Sequence, residues 1–205
     1  MKVLLINGSP HKNGCTFVAL SEAGKTLNKN GIETDFMHIP SDTSGCRACK
    51  VCKKTGKCII DDMVNEFLAK LPEIDGIIVG SPVYFAGAAG QLTAFLDRAF
   101  MAGGGKFDGK LAASVVSCRR GGATAAFDQL NKYFLMNCMP CVGSQYWNQV
   151  HGSKAEDVSK DEEGLQTMRT LATQMAWLLK CVEAGKKEGF TVPEREERIT
   201  TSFIR

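Results

Sequence analysis

The chain has 205 residues, 44% of them hydrophobic and 23% charged, with a formal net charge of +3. That profile fits one large α/β domain with a core of its own. The charge is too small, and no basic run dense enough, for a nucleic-acid binder, and no apolar stretch approaches the roughly 18 residues of a membrane span.

In chain order, Val3 to Asn7 is an apolar run that ends in Gly8-Ser9-Pro10, as a buried parallel strand does on entering a loop. Its apolar part, Val3 to Ile6, is too short for the h-region of a signal peptide, so the protein is expected to be cytoplasmic. A helix is expected over Thr16 to Asn28, with Gly31 near its end, and a second strand over Ile32 to Ile39. A cysteine-rich loop follows from Pro40 to Cys58. Asp61 and Asp62 offer N-cap carboxylates to a helix reaching Leu71, with Val64, Phe67, Leu68 and Leu71 at helical spacing. Gly76 to Gly80 is a third buried strand and Gln91 to Met101 a helix. Leu111 to Ser117 is a fourth strand, Thr124 to Met136 a helix, Cys141 to Val150 a fifth strand and Glu162 to Ala184 a long final helix. The alternation implies a parallel sheet covered by helices on both faces, with ligands beyond the C-terminal strand ends. The loops after Asn7, Gly80 and Ser117 are therefore the ones to inspect.

The first loop, GSPHKNGCT, joins a strand to a helix N-terminus, where free amides and the helix dipole favour an anion. Ser9 and Thr16 add hydroxyls, Asn13 and Gly14 allow tight curvature, and Cys15 completes the cup. It is neither G-x-G-x-x-G nor a Walker A loop, so a mononucleotide phosphate is favoured over a dinucleotide. The alternative is a polar turn with a capping Thr. The second loop, SPVYFAG, sets Pro82, Val83, Tyr84 and Phe85 at a strand end, where an isoalloxazine ring finds flat apolar contact; Tyr84 and Phe85 read alternatively as core. In the third loop, CRRGGAT, Gly121 and Gly122 allow close approach to a ring edge. Arg119 or Arg120 can meet an anionic reduced flavin or the phosphates of a nicotinamide donor, or stand solvated.

Nine cysteines are many for this length, and their number is odd. A disulfide framework suits small secreted domains, so thiols that hold a metal or cluster fit better. Cys46, Cys49, Cys52 and Cys58 form C-x2-C-x2-C-x5-C, close enough to wrap one small inorganic group. Lys50, Lys53, Lys54 and Lys57 would offset the negative charge there. A [4Fe–4S] cluster, a zinc ion held by four thiolates and metal-free thiols remain open. Cys138 and Cys141 read as buried structural residues and Cys181 as core, while Cys118 borders the third loop. His11 reads as a surface residue, and no arrangement of histidines supports hydrolysis.

GSPHKNGCT resembles the FMN-phosphate loop GSPRKxGNT of the flavodoxin-like NADPH-dependent FMN reductase family, with Cys15 where Asn is common. GSPVYF resembles that family's isoalloxazine loop, and GQLTAFLDR the helix after it, with Thr93 replacing a frequent Lys. FDGK at Phe107 to Lys110 fits the lead-in to the fourth strand, and the cysteine run resembles that of the iron–sulfur flavoprotein branch. The resemblance covers roughly residues 1 to 150. It implies a flavodoxin-like doubly wound five-stranded parallel sheet, with one FMN-binding domain over 1–185, its cysteine-rich loop at 40–60, and a tail over 186–205. It further implies an FMN-dependent oxidoreductase with NAD(P)H as co-substrate, a [4Fe–4S] cluster, and a homodimer or homotetramer. The partners expected are a small-molecule reductant or an electron-transfer protein, with no nucleic acid and no membrane. A non-enzymatic carrier reduced by a ferredoxin-like partner is the alternative, and a zinc-stabilised interaction module the third reading.

Overall fold

In the computed structural model, which describes residues 1–197, 199–201 and 203, strands and helices alternate. They run β1 (Lys2–Asn7), α1 (Cys15–Lys29), β2 (Glu33–His38), α2 (Cys52–Thr55), α3 (Met63–Lys70), β3 (Gly76–Tyr84), β4 (Gly87–Ala88) and α4 (Gly90–Gly103). Then come β5 (Leu111–Cys118), α5 (Ala123–Met136), β6 (Gln149–His151), α6 (Ala155–Val158) and α7 (Glu162–Lys187). Five strands make a parallel sheet in the order β2-β1-β3-β5-β6, and β4 folds back antiparallel on β3 as a sixth. With the β4 hairpin set aside, this is the flavodoxin-like doubly wound order. Of the expected tail 186–205, residues 198, 202, 204 and 205 lie outside the described residues. No helix among the described residues is long and apolar enough to cross a membrane.

The continuous apolar runs are explained by burial on both faces. Along β1, Leu4 and Ile6 pack with Ile77, Val79 and Val116 against α3, α4 and α5. Val3 and Leu5 point the other way, with Ile78, Ala113 and Val115, against α1 and α7. Each such side chain removed from water contributes roughly 1.5–3 kcal/mol. The first face carries an aromatic cluster in which Phe100 and Phe107 stack at 4.3 Å and Phe67 meets Phe95 at 5.4 Å. Asp62 caps α3, accepting from the Val64 amide at 3.0 Å, and Asp161 caps α7, accepting from Gly164 at 2.9 Å.

Several boundaries differ from those the sequence suggests. β3 runs past Gly80 to Tyr84, pairing with β5 as far as Pro82 opposite Ser117. The expected strand Cys141 to Val150 shrinks to Gln149–His151, with one bridge from Cys141 to Ala112. Between them, the Ser144 hydroxyl bonds the Tyr146 carbonyl at 2.6 Å and the Asn148 side chain at 2.7 Å. Those local bonds displace the ladder. Cys138 and Cys141, expected buried, are exposed, and so is Cys181, expected in the core. Cys138 follows α5 at φ 52°, in the left-handed position that ends many helices and turns its side chain outward.

β1 pairs β2 on one side and β3 on the other. The chain therefore winds away in both directions from the β1–β3 boundary, which opens a crevice beyond their C-terminal ends. At that point the Gly8 amide donates to the Gly80 carbonyl at 2.8 Å.

Candidate functional site

The loop after β1 is fixed by its own side chains. Asn7 accepts from the Ser9 amide at 3.1 Å and donates to the Lys12 carbonyl at 2.9 Å. Ser9 Oγ accepts from the His11 amide at 3.1 Å. His38 Nε2 lies 2.8 Å from the Ser9 carbonyl, and Gln91 of α4 donates to the Gly8 carbonyl at 2.8 Å. Gly14 is the N-cap of α1 and offers no side chain to its first amides, and no acid stands in the first turn. Those amides and the positive end of the dipole are left for an anion. A Cβ on Gly14 would lie 3.1 Å from His11 Cβ, so a side chain there would crowd the cup.

The cup opens into a cavity of about 660 Å³, within the range of small-molecule sites. Ser9, Asn13, Gly14, Cys15 and Thr16 line one end, Pro82, Val83 and Tyr84 a second wall, and Arg119 a third. Thr16 and Ser117 hydroxyls meet at 2.9 Å, joining the first loop to the third. Burial raises the Cys15 thiol above its ordinary pKa, with Asp157 and Glu156 adding to the effect, and burial raises Cys118 likewise. Both are poor nucleophiles at neutral pH.

Three residues expected on this cavity lie elsewhere. Phe85 is fully exposed, with a relative exposure of 108%, at the tip of the β3–β4 hairpin. It and Ala86 both adopt positive φ, 49° and 59°, as the two-residue turn that matches strand twist requires. The same exposure excludes Phe85 from the core. Gly122, at φ 86°, backs the hairpin: a Cβ there would fall 2.9 Å from Ala86 Cα. Gly121 does not line the cavity, and a Cβ added there would meet nothing within 4 Å.

Sequence reasoning missed the fourth wall, Gly152 to Glu156, and with it Lys154; His11, read as a surface residue, also lines the cavity. The segment follows β6 as the other loops follow their strands, and Gly152 is tied to Cys118 by a 3.0 Å amide bond and to the Cys15 thiol at 3.6 Å. The expected fifth strand already ends at Val150, one residue short of the observed end, so the rule that ligands sit beyond strand ends points to this segment once the loop after the fifth strand is included.

A second cavity, of about 400 Å³, carries Cys46, Cys49, Cys52 and Cys58 on its wall, with Ile59, Ile60, Met101, Ala102 and Met136 as apolar lining and Lys50, Lys53 and Arg98 as cations. The loop reaches this shape by putting Ala48 and Lys50 at φ 52° and 59°, each costing roughly 1–2 kcal/mol. Among the described residues no three His, Cys, Asp or Glu side chains converge tightly enough to hold a single metal ion. The four thiols line a chamber rather than pinch a point. Buried Arg98 donates from Nε to Cys58 Sγ at 3.2 Å and pairs with both Asp62 oxygens at 2.7 and 2.8 Å. Burial works against the Asp62 carboxylate, but hydrogen bonds from Arg98 and the Val64 amide outweigh it and hold the carboxyl below its ordinary pKa.

Residues 1–153 match the family described as NADPH-dependent FMN reductase. An iron–sulfur flavoprotein of Methanocaldococcus jannaschii is 36% identical, covering 89% of this chain and 100% of that protein. An iron–sulfur flavoprotein of Archaeoglobus fulgidus is 31% identical over 87% of this chain and 97% of that one. Among solved structures, RosB with bound 8-demethyl-8-formylriboflavin-5′-phosphate superposes with a TM-score of 0.72 at 14% identity, over 100% of this chain and 94% of that one. A flavodoxin from the domain Archaea gives 0.62 at 16% identity, over 88% and 99%. At those identities the two structures share the fold and no more. The chain, over most of its length, belongs to the NADPH-dependent FMN reductase family.

Proposed function

We propose that this protein is an FMN-dependent oxidoreductase of the NAD(P)H-dependent FMN reductase and iron–sulfur flavoprotein type. The observation that carries the reading is the merging of an uncapped helix N-terminus and an apolar strand-end wall in one cavity at the winding switch of the sheet. Bound FMN supplies redox chemistry at its ring. The chain's part is to hold and orient it. The first amides of α1, beyond the Gly14 cap, and the Ser9 and Thr16 hydroxyls would take the phosphate, with Lys154 adding a charge. Pro82, Val83 and Tyr84 would give the ring its apolar contact, and Arg119 would offer it a cation. NAD(P)H oxidation with added FMN and a range of acceptors tests this. Tight FMN binding with inactivity toward both nucleotides would favour a carrier instead.

Cys46, Cys49, Cys52 and Cys58 are proposed to hold a [4Fe–4S] cluster. Thiolates about 2.3 Å from a tetrahedral zinc stand about 3.8 Å from one another, whereas the four cysteines here line a chamber of about 400 Å³, with room for a larger occupant. The two strained residues of the loop support it further, since strained backbone persists where something else holds it. The carrier reading draws on Arg47, Lys50, Lys53 and Lys54, which are exposed around the chamber and suit an acidic ferredoxin-like donor. Rapid reduction by ferredoxin, with none by NAD(P)H, would select it. Assembly as a homodimer or homotetramer follows from the family resemblance and is tested by light scattering.

A further inference from the structure

Arg98 is the largest fully buried side chain among the described residues. A buried arginine must spend all five of its N–H donors well or destabilise the fold. Here each has an acceptor. Nε reaches Cys58 Sγ at 3.2 Å; Nη1 reaches Asp62 Oδ2 at 2.7 Å and the Ser44 carbonyl at 3.3 Å; Nη2 reaches Asp62 Oδ1 at 2.8 Å and the Ile60 carbonyl at 3.0 Å. These acceptors lie on both stems of the cysteine loop, Ser44 before it and Cys58, Ile60 and Asp62 at its end. One guanidinium therefore closes the loop and also touches one of its four thiols.

The same helix reaches the other cavity. Gln91 and Arg98 are seven residues apart and so share a face of α4, about 10 Å apart along its axis. Gln91 holds the Gly8 carbonyl of the phosphate loop, while Arg98 holds the cysteine loop. The register of α4 thus fixes the two cavities relative to each other.

We propose that Arg98 is the positioning residue of the cysteine-held centre: it orients Cys58 as a ligand, and its charge, shared with Asp62, sets the reduction potential of the group the four thiols hold. The inference rests on the reading that this group is a [4Fe–4S] cluster. Hydrogen bonds and positive charge at ligand sulfur favour the more negative, reduced state and raise the potential. Asp62 opposes this by neutralising part of the guanidinium. Lysine would keep the charge but only part of the network, because one nitrogen cannot reach a thiol, a carboxylate and two carbonyls at once.

The test compares anaerobically purified wild type, Arg98→Gln, Arg98→Lys and Asp62→Asn by FMN content, iron content and the cluster midpoint from a potentiometric titration followed by EPR. The account expects Arg98→Gln to keep FMN and either to lose iron or to hold a cluster of more negative midpoint. The reduced-to-oxidised ratio at fixed potential should fall about tenfold, the effect of one charge-assisted hydrogen bond, or about 59 mV for one electron. Arg98→Lys should keep iron and shift less. Asp62→Asn, whose new residue still caps a helix, should move the midpoint the opposite way, a sign that general damage to the fold would not produce. If Arg98→Gln does not fold, Arg98→Lys and Asp62→Asn carry the test: the first must lower the midpoint and the second must raise it. A wild-type cluster whose midpoint is the same in every variant, or moves alike in Asp62→Asn and Arg98→Gln, overturns the inference alone. Wild-type protein with FMN but no iron overturns the cluster reading, and the inference with it.

Discussion

Replacing Gly80 with Ala tests the close approach on which the phosphate cup is built. A Cβ at that position would lie 2.7 Å from Thr16 Cγ2 and 2.8 Å from Leu20 Cδ1. Carbon atoms pack at about 3.5–4.0 Å, so the added methyl intrudes by about 0.8 Å on two side chains that are themselves fully buried. Overpacking of this kind costs about 1–3 kcal/mol. Displacing Thr16 also breaks its 2.9 Å bond to Ser117, worth about 1 kcal/mol more. For a denaturant slope of about 2 kcal/mol/M, a total of about 2–4 kcal/mol lowers the urea midpoint by about 1–2 M. FMN affinity, followed by quenching of flavin fluorescence, should fall at least about tenfold, since the cup moves with α1. Thr16→Ser in the Gly80→Ala background removes the nearer methyl, keeps the hydroxyl, and should restore about 1 kcal/mol. Gly90→Ala, with nothing within 4 Å of its Cβ, should be neutral. Wild-type stability and affinity in Gly80→Ala would refute the packing of α1 on β3, and equal losses with and without Thr16→Ser would clear Thr16 as the obstacle.

Three further outcomes follow from the structure. The Asp62 carboxyl is held below its ordinary value of 3.8, so its contribution to stability is complete above that value and is lost as the pH falls through the lower, folded one. Urea midpoints of wild type and Asp62→Asn should therefore differ most near neutral pH and converge in acid; a constant gap would count against the ion pair. Putting Asn at Phe85 with Gly at Ala86 gives the hairpin the residues its turn prefers and should raise stability by about 1 kcal/mol, read as a higher thermal midpoint; no gain would mean the turn is otherwise built. With limiting iodoacetamide near pH 8 and peptide mapping, exposed Cys138 and Cys181 should label well before Cys118, which is buried and whose thiol pKa is raised; early labelling of Cys118 would contradict its burial.

What the sequence disclosed depended on how local each cause is. The runs V-L-L-I and G-I-I-V-G can only be strands buried on both faces, and they place the winding switch and the first two loops. The end of β3 was hidden because Pro82 reads as a breaker, although the strand continues through it to the hairpin. The tip was hidden because Phe85-Ala86 lacks the Asn-Gly that announces a two-residue turn. Cys138 and Cys141 read as buried structural residues because they stand where a helix gives way to a strand, but both are exposed, Cys138 at a left-handed position just past the helix end. Lys154 lies beyond the fifth strand, whose following loop is not among the three that the sequence singles out, although the expected end at Val150 stands one residue from the observed one. Arg98 looks like an ordinary polar residue of an amphipathic helix; its partners stand 36 to 54 residues away, beyond any periodicity.

The central claim is that one chain holds FMN in the cup after β1 and a cluster in the four-cysteine chamber. Anaerobic purification, a visible spectrum and the stoichiometry of FMN, iron and acid-labile sulfide test it most directly. The account predicts flavin bands with a broad cluster shoulder, about one FMN per chain, and about four irons and four sulfides. Iron-free protein carrying FMN would leave a plain flavin reductase, and protein with no affinity for FMN would contradict the account at its base.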